Sequence, residues 1–178
     1  MPFEFAFLDW LYQFRNPVMN TISIFFDYAG AHGEIWIAFT LLLLLFRRTR
    51  KAGFAMAVAL VLYMAAGHFF LKPLFARPRP CDVNTAITIL VKRPHGHSFP
   101  SGHTASAFAA AFALWLQNRK LGVPALVLAA FIAFTRLYLY VHFPTDVLGG
   151  LVLGLVLGFF ASWLVDSLAN KSKKKQIV

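Results

Sequence analysis

Charged residues are scarce in this chain of 178 residues. They make up 13% of it, while 59% of the residues are hydrophobic and the mean hydropathy is +0.65. Soluble domains have about 25% charged and roughly 45–50% apolar residues. Acidic residues are the rarest charged class, with seven Asp and Glu against seventeen Lys and Arg. This composition excludes an ordinary soluble domain and predicts one that is embedded in a membrane.

Cysteine is almost absent as well. The single residue, Cys81, excludes an intramolecular disulfide and a zinc site built on cysteine ligands. A basic leader is also missing, because Glu4 and Asp9 stand where a secretory signal carries Lys or Arg. We therefore expect the hydrophobic segments to remain in the mature protein.

The basic residues give a formal charge of +10, but they occur in short clusters between long uncharged stretches. A nucleic-acid interface needs a soluble face that presents such clusters, and this chain has little polar surface to form one. Short clusters beside apolar segments are typical of contact with anionic lipids. We expect a lipid bilayer, and no nucleic acid, as a partner.

Six apolar segments predict an all-α membrane bundle of about six transmembrane helices, folded as one domain over residues 1–178. The segments are residues 16–30, 35–46, 52–71, 101–117, 121–140 and 147–165. The first is interrupted by Asp27. Residues 1–15 repeat apolar side chains such as Phe3, Phe7 and Trp10 at helical spacing, with Glu4 and Asp9 elsewhere, which favours a helix lying in the membrane interface. The alternative is that these residues simply begin the first span.

The distribution of Lys and Arg predicts the orientation of this bundle. In a six-span arrangement Arg15 and the clusters at residues 47–51, 119–120 and 171–175 fall on one side, eleven residues in all. The other six are Lys72, Arg77, Arg79, Lys92, Arg93 and Arg136. We expect the basic tail, residues 169–178, in the cytoplasm and the loop of residues 73–100 outside the cell membrane. Loss of the first span would move only the N-terminus.

Three polar groups lie at the outer ends of these spans, and the first follows the third span. Lys72, Arg77 and Arg79 fall within eight residues and are interleaved with prolines. A residue before proline is pushed out of the α region, so we expect the helix to stop near Lys72 and an extended segment to follow. Three cations on the cation-poor side need an anionic partner, although snorkelling to headgroups would explain one or two of them.

The second group is Pro100-Ser101-Gly102-His103, at the start of the fourth span. Serine is a preferred N-cap, and glycine lets a ligand approach the backbone. The free amides of a first helical turn attract an anion. The group therefore predicts a phosphate cradle beside a titratable side chain, the alternative being a plain N-cap followed by an interfacial histidine.

The third group is Arg136, His142 and Asp146, between the fifth and sixth spans. Pro144 suits the first turn of a helix, which places Asp146 about one turn inside it. We expect the carboxylate to accept a hydrogen bond from one imidazole nitrogen of His142. That bond would fix the tautomer and leave the other nitrogen free as a nucleophile.

Together these residues resemble the three-part signature of the type-two phosphatidic acid phosphatase superfamily. The matching parts are Lys72 with six residues to Arg79-Pro80, then residues 100–103, then Arg136 with five residues to His142 and three to Asp146. The superfamily includes lipid phosphatases, undecaprenyl pyrophosphate phosphatases, glucose-6-phosphatase and vanadium haloperoxidases. Thr135 departs from the pattern, since it replaces the usual Ser but keeps a hydroxyl.

The resemblance implies a role for each residue. His142 would be the nucleophile that forms a phosphohistidine, Asp146 its orienter, and His103 the acid and then the base toward water. The phosphate oxygens would be held by Lys72, Arg79, Arg136, Ser101 and the amide of Gly102. Arg77-Pro78 offers a second register, which leaves the division of roles between Arg77 and Arg79 open. The resemblance implies that no metal or cofactor is required.

The short connections indicate that the substrate is a lipid whose phosphate or pyrophosphate reaches the site from the bilayer. The layout is most similar to an undecaprenyl pyrophosphate phosphatase, and a phosphatidylglycerophosphate or phosphatidate phosphatase is the alternative. A lipid or anion transporter is a non-enzymatic alternative, but transport favours charges near the midplane and internal repeats, and neither is visible.

Two other patterns have structural or alternative readings. His95, His97 and His103 could be zinc ligands, although the segment has no acidic partner. Gly150, Gly154 and Gly158 repeat every four residues, as in helix-packing seams within membranes.

Overall fold

The computed structural model describes residues 2–30 and 33–175, with side chains to residue 171. Within these residues the chain is helical and contains no strand; 77% of it is helix. The helices are α1 Pro2–Tyr12, α2 Pro17–Ala29, α3 Glu34–Leu45, α4 Arg50–Tyr63 with a π-helical continuation Met64–Leu71, α5 Lys72–Phe75, α6 Pro80–Val83, α7 Gly102–Gln117, α8 Arg119–Tyr138 and α9 Pro144–Lys175. The predicted all-α membrane bundle is confirmed. The side chains of Lys173, Lys174 and Lys175 and all of residues 176–178, from the predicted tail, lie outside the described residues.

Helix α7 lies at the centre of the bundle, between α4, α8 and α9. Its face toward α9 is made of small residues, and the glycines of α9 pack directly on its backbone. A Cβ atom on Gly150, Gly154 or Gly158 would lie 2.7, 2.7 and 2.8 Å from the carbonyl oxygens of Ser101, Ala105 and Ala109. The predicted packing function of this glycine seam is confirmed, because close backbone approach replaces the hydrophobic effect between helices in lipid.

Among the residues that the structure describes, three segments are long and apolar enough to cross a membrane alone: Arg50–Val83, Arg119–Tyr138 and Pro144–Lys171. Helix α7 has 16 residues, about 24 Å at 1.5 Å per residue, which is shorter than a hydrocarbon core of about 30 Å. Helices α2 and α3 qualify only as a pair, and this pair is bent by 63°.

Helix α2 does not run the length of the bundle. At its start the Asn16 N–H donates to the hydroxyl of Tyr138 at 2.9 Å, and near its end Asp27 accepts from Arg136 at 2.5 Å. Both partners belong to the last turn of α8. Residues 16–30 therefore do not form the separate first span predicted from the sequence, because the last turn of α8 holds both ends of α2.

The prediction that Arg15 lies with the cytoplasmic cations is wrong for the same reason. Its guanidinium donates to the carbonyl of Thr88 at 2.6 Å and to that of Tyr138 at 3.2 Å. Thr88 belongs to residues 73–100, and we call the end of the bundle that carries this segment the loop end. With Arg15 at the loop end, seven Lys and Arg lie there and ten lie at the opposite end, so the predicted orientation is unchanged.

The helix before the first polar group ends one turn later than predicted. Pro73 lies in the first turn of α5, where a backbone N–H is not needed, so the helical path continues to Phe75. It ends at Ala76, whose φ of 44° is left-handed. An extended segment then leads to Arg79, as the prolines predict.

Helix α1 is separate from α2 and packs Leu8 and Leu11 into the protein, while Phe3 and Trp10 are exposed. The two acidic residues do not face away from the protein, as an interfacial helix would have them. Asp9 accepts a hydrogen bond from the Tyr140 hydroxyl at 2.7 Å, and Glu4 contacts the candidate site. The interfacial position of residues 1–15 stays a prediction.

Candidate active site

A cavity of about 930 Å³ lies at the loop end. Its walls come from the π-helical segment, the loop around residues 92–97, the start of α7 and the end of α8. Six of the eight predicted site residues line it: Lys72, Arg79, Gly102, His103, Arg136 and His142. Ser101 and Asp146 do not line the cavity and are fully buried beside it.

His142 is buried in the loop between α8 and α9, with 3% of its surface exposed. Its Nε2 atom lies 3.1 Å from Nη1 of Arg79. A guanidinium has only donors, so Nε2 must be the unprotonated nitrogen and Nδ1 carries the hydrogen. Burial, together with the charge of Arg79, lowers the pKa of His142 to about 3 against the opposing hydrogen bond of Asp146. The imidazole is therefore neutral at physiological pH, with its lone pair toward Arg79.

The Nδ1 side of His142 faces Asp146 and Ser98. Nδ1 lies 3.5 Å from Oδ2 of Asp146 and 3.4 Å from Oγ of Ser98. Both distances exceed those of ordinary hydrogen bonds, so the predicted bond from His142 to Asp146 is long in this structure. The Ser98 hydroxyl donates to the same Oδ2 atom, and the Phe143 N–H donates to it at 2.8 Å. Ser98 is a site residue that the sequence motifs missed.

The two arginines of the first motif have different surroundings. Arg79 lines the cavity, and carbonyls of Gly96 and Val141, each at 3.1 Å, hold its guanidinium. Arg77 points the other way: its Nη1 donates to Oδ1 of Asp146 at 2.6 Å. The structure therefore separates the two arginines by position: Arg79 lines the cavity, and Arg77 lies behind Asp146. The sequence had left this open.

Helix α1 supplies a further partner that the sequence analysis missed. The carboxylate of Glu4 accepts from Nη2 of Arg77 at 2.7 Å and from the hydroxyl of Thr145 at 2.6 Å. Arg77 also donates to that hydroxyl at 2.6 Å and lies over the Phe143 ring. Glu4, Arg77 and Asp146 thus form one chain of contacts from α1 to the residue behind His142. No local sequence pattern pointed to Glu4.

The opposite wall holds Arg136 and His103. Arg136 is fully buried, donates to Asp27 at 2.5 Å and donates through Nη2 to the Thr135 hydroxyl at 2.9 Å. Nε2 of His103 lies 3.4 Å from the carbonyl of Asp27. A Cβ atom on Gly30 would come within 3.1 Å of the imidazole, so glycine leaves the room that His103 occupies. Asp27, which the sequence showed only as a break in an apolar segment, positions both residues.

The start of α7 faces the cavity through Gly102. A Cβ atom there would lie 2.7 Å from the Tyr63 hydroxyl and 3.7 Å from Cε of Lys72, so only glycine fits beside these side chains. Ser101 occupies the predicted N-cap position of α7, but its side chain makes no capping hydrogen bond. Its hydroxyl accepts from Thr104 at 3.0 Å instead and is buried, which leaves the first-turn amides uncapped.

The histidines of the loop do not assemble a metal site. His97 contributes its carbonyl, which accepts from Nζ of Lys72 at 2.8 Å and from Arg79 at 3.4 Å. Over the part of the chain that the structure describes, no three side chains of His, Cys, Asp or Glu are grouped to hold a metal ion. The alternative zinc site of His95, His97 and His103 is therefore not formed.

Cations, a helix N-terminus and a neutral imidazole that share one cavity in a membrane bundle define a membrane protein built to handle phosphate groups. Comparison with known families makes this specific. Residues 48–169 match the PAP2 superfamily, and the chain belongs to it. The resemblance of the three motifs is thereby confirmed.

Two similar curated proteins are both named as undecaprenyl-diphosphatases. The chain is 31% identical to an undecaprenyl-diphosphatase of Sulfolobus acidocaldarius over 80% of this chain and 69% of the relative. It is 32% identical to the undecaprenyl-diphosphatase BcrC of Bacillus subtilis over 82% and 74%. Among solved structures, LpxE of Aquifex aeolicus superposes with a TM-score of 0.71 at 26% identity over 89% of this chain and 94% of that chain. The chain is a multi-pass membrane lipid phosphatase of the PAP2 superfamily.

Proposed function

We propose that the chain hydrolyses the terminal phosphate of a lipid pyrophosphate, with undecaprenyl pyrophosphate as substrate and undecaprenyl phosphate as product. The observation that carries the proposal is the neutral His142, whose Nε2 lies 3.1 Å from a cavity-lining guanidinium. The names of two relatives support the choice of lipid. Phosphatidylglycerophosphate or phosphatidate is the alternative substrate, because a phosphatidylglycerolphosphate phosphatase of Bacillus subtilis superposes with a TM-score of 0.69 at 25% identity over 93% of this chain and 84% of that chain.

In the proposed first step, Nε2 of His142 attacks the terminal phosphorus while the bond to the bridging oxygen breaks. The phosphoryl group moves to the imidazole, and lipid phosphate leaves with the bonding electron pair and a proton from His103. Asp146 stabilises the charge that develops on the Nδ1 side. In the second step His103 takes a proton from water, whose oxygen attacks phosphorus, and inorganic phosphate and neutral His142 are released.

Fixed positive charges supply the electrostatic stabilisation that phosphoryl transfer requires. We assign the non-bridging oxygens to Lys72, Arg79, Arg136 and the first-turn amides at Gly102. Arg79 now donates to the lone pair that must attack, so substrate oxygens have to take over its donors before the reaction. Ser101 is fully buried, and its part in binding is reduced to its position in the backbone of the cradle.

The test is phosphate release by the purified protein from a panel of lipids in detergent, with His142→Ala as the control. We expect release from undecaprenyl pyrophosphate at the highest kcat/KM, retention of activity in EDTA and inhibition by vanadate. Release from phosphatidylglycerophosphate alone would favour the alternative substrate. Loss of activity in EDTA that zinc or magnesium restores would contradict the metal-independent mechanism, and no release from any lipid would contradict the proposal.

We also propose that the loop end faces outside the cell membrane and that the C-terminus is cytoplasmic. The ten-to-seven division of Lys and Arg supports this orientation. Single cysteines at Lys92 and Lys171, introduced after Cys81→Ser, test it by labelling of intact cells with an impermeant thiol reagent. We expect the Lys92 position to label from outside and the Lys171 position only after permeabilisation, and the reverse pattern contradicts the orientation.

A further inference from the structure

The cavity carries more positive charge than one phosphate group uses. Besides the three cations assigned above, its wall includes Lys92, Arg93 and His95, all three of them exposed. Among the described residues that line it, Asp27 is the one carboxylate, and Arg136 already engages it. The cavity therefore has an uncompensated positive charge at its rim.

The segment that carries these side chains is fixed to the inner cations by its backbone. The carbonyl of Gly96 accepts from Nε of Arg79, and that of His97 accepts from Nζ of Lys72. Ser98 adds a backbone bond to the carbonyl of Arg77 at 2.8 Å. His95 precedes this anchored stretch directly, and Lys92 lies one short turn of chain before it. The side chains of Lys92, Arg93 and His95 thus have a defined place beside the inner cations.

Lys92, Arg93 and His95 differ in their hydrogen-bond and ion-pair partners. Arg93 donates to Asp82 at 3.3 Å, and both side chains remain more than a third exposed. Lys92 and His95 make no hydrogen bond or ion pair with any residue in the described part of the chain. Their donors are therefore free to bind a ligand that enters the cavity.

A single phosphoryl group has three non-bridging oxygens, and Lys72, Arg79, Arg136 and the amides at Gly102 already match them. We propose that Lys92, together with His95 and Arg93, forms a second phosphate subsite that binds the lipid-side phosphate of a diphosphate. The inference rests on the proposed function, because the two phosphates are those of its substrate. The subsite would stabilise the charge that the leaving phosphate gains as the bridging bond breaks, which raises the rate for diphosphates selectively.

The test compares two substrates that differ by one phosphate, farnesyl diphosphate and farnesyl phosphate, in a nonionic detergent without anionic lipid. We expect Lys92→Ala to lower the ratio of the two kcat/KM values by about 10-fold to 100-fold, the size of a lost hydrogen bond to a charged group. The double variant Lys92→Ala/His95→Ala should lower it further, and Lys92→Arg should restore most of it. Lys120→Ala, which removes an equal charge at the opposite end of the bundle, should leave the ratio unchanged.

A binding measurement gives a readout that needs no turnover. Titration calorimetry with inorganic pyrophosphate and with inorganic phosphate should show tighter pyrophosphate binding, and Lys92→Ala should remove most of that difference. The subsite is overturned if Lys92→Ala changes neither the ratio of the kcat/KM values nor the difference between pyrophosphate and phosphate binding. Equal losses on both farnesyl substrates, or an effect seen only with anionic vesicles, would overturn it as well. Absence of phosphate release from either substrate by the unaltered protein contradicts the proposed function instead, and the calorimetry then still decides the subsite.

Discussion

The loop end and the glycine seam hold the bundle together by opposite means. At the loop end, buried charges such as Arg136 and Asp146 each have partners from distant parts of the chain. In the seam, α7 and α9 meet through small residues and backbone atoms. A charge that is buried without a partner is costly, whereas small residues allow close packing in lipid. The loop end is therefore specialised for chemistry and the seam for rigidity.

The two regions meet at Gly150. A Cβ atom there would press on the Ser101 carbonyl at 2.7 Å and on Cβ of Thr104 at 3.0 Å, in the first turn of α7. The Ser101 N–H in turn donates to the carbonyl of Asp146 at 3.0 Å. The packing of Gly150 against α7 thus fixes the position of the first turn of α7, which forms the proposed phosphate cradle, relative to Asp146. The comparison predicts that replacing a cavity histidine removes activity and leaves folding, while seam changes do the reverse except at Gly150.

The largest effect is expected for the two histidines of the cavity. His142→Ala removes the proposed covalent step, so we expect kcat to fall by about 10⁴-fold or more with any substrate. His103→Ala removes only proton transfer, worth about 10²–10⁴-fold. An activated aryl phosphate, which needs no protonation of its leaving group, should restore much of the His103→Ala loss and none of the His142→Ala loss.

Asp146→Asn serves as the intermediate variant, because the imidazole remains but its tautomer is no longer enforced. Steady-state rates with a lipid phosphate and an aryl phosphate, measured in all three variants, separate the roles. Equal rescue of His103→Ala and His142→Ala would contradict this assignment. Equal melting temperatures of the two histidine variants at neutral pH would confirm that these side chains act on activity without the fold.

The seam offers a matched pair of substitutions. Gly150→Ala and Gly158→Ala each force a Cβ against α7, at 2.7 Å and 2.8 Å from a carbonyl oxygen, and overpacking of this kind costs about 1–3 kcal/mol. We expect similar falls in melting temperature in detergent for both. Only Gly150→Ala should also lower kcat, by about 10-fold, since it displaces the first turn of α7. Equal kcat in the two variants would break the link between seam and site.

The sequence alone predicts the features that show a pattern over a few neighbouring positions. The three motifs, the helices and the seam all follow from neighbours a few positions apart. The missed residues act across long separations: Glu4 and Arg77 are 73 positions apart, and Asp27 and Arg136 are 109 apart. Such pairs leave no periodic signal in one sequence.

The errors about α2 and Arg15 have the same origin. The apolarity of α2 suited a transmembrane segment, and the charge of Arg15 suited the cytoplasmic flank of that segment. Hydrogen bonds to Tyr138, at the end of α8, place both at the loop end instead. Hydropathy measures how a segment prefers lipid and carries no information about which polar partner holds it. Ser98 shows the same limit at shorter range, since its bond to Asp146 spans 48 positions.

A smaller effect tests whether α1 belongs functionally to the loop end. Glu4→Gln keeps the shape of the side chain but removes the charge that faces Arg77, so Asp146 loses part of its fixed surroundings. We expect kcat to fall about 3-fold to 10-fold with KM nearly unchanged. Asp9→Asn is the matched control on the same helix, where the partner is the Tyr140 hydroxyl. Equal kcat in the two variants would show that α1 only packs against the site.

The last prediction concerns the pH dependence of stability and follows from the burial of His142. Its pKa is lowered to about 3 in the folded protein, against about 6.5 for an unfolded histidine. Between these values the unfolded chain binds a proton that the folded one does not, so the stability present above pH 6.5 is lost progressively as pH falls toward 3. The slope is at most about 1.4 kcal/mol per pH unit for one group. His142→Gln cannot take up this proton, so its melting temperature should decline less steeply below pH 6.5 than that of the unaltered protein. If His142→Gln and the unaltered protein decline in parallel, the imidazole is not held neutral by burial, and Arg79 is not what faces its lone pair.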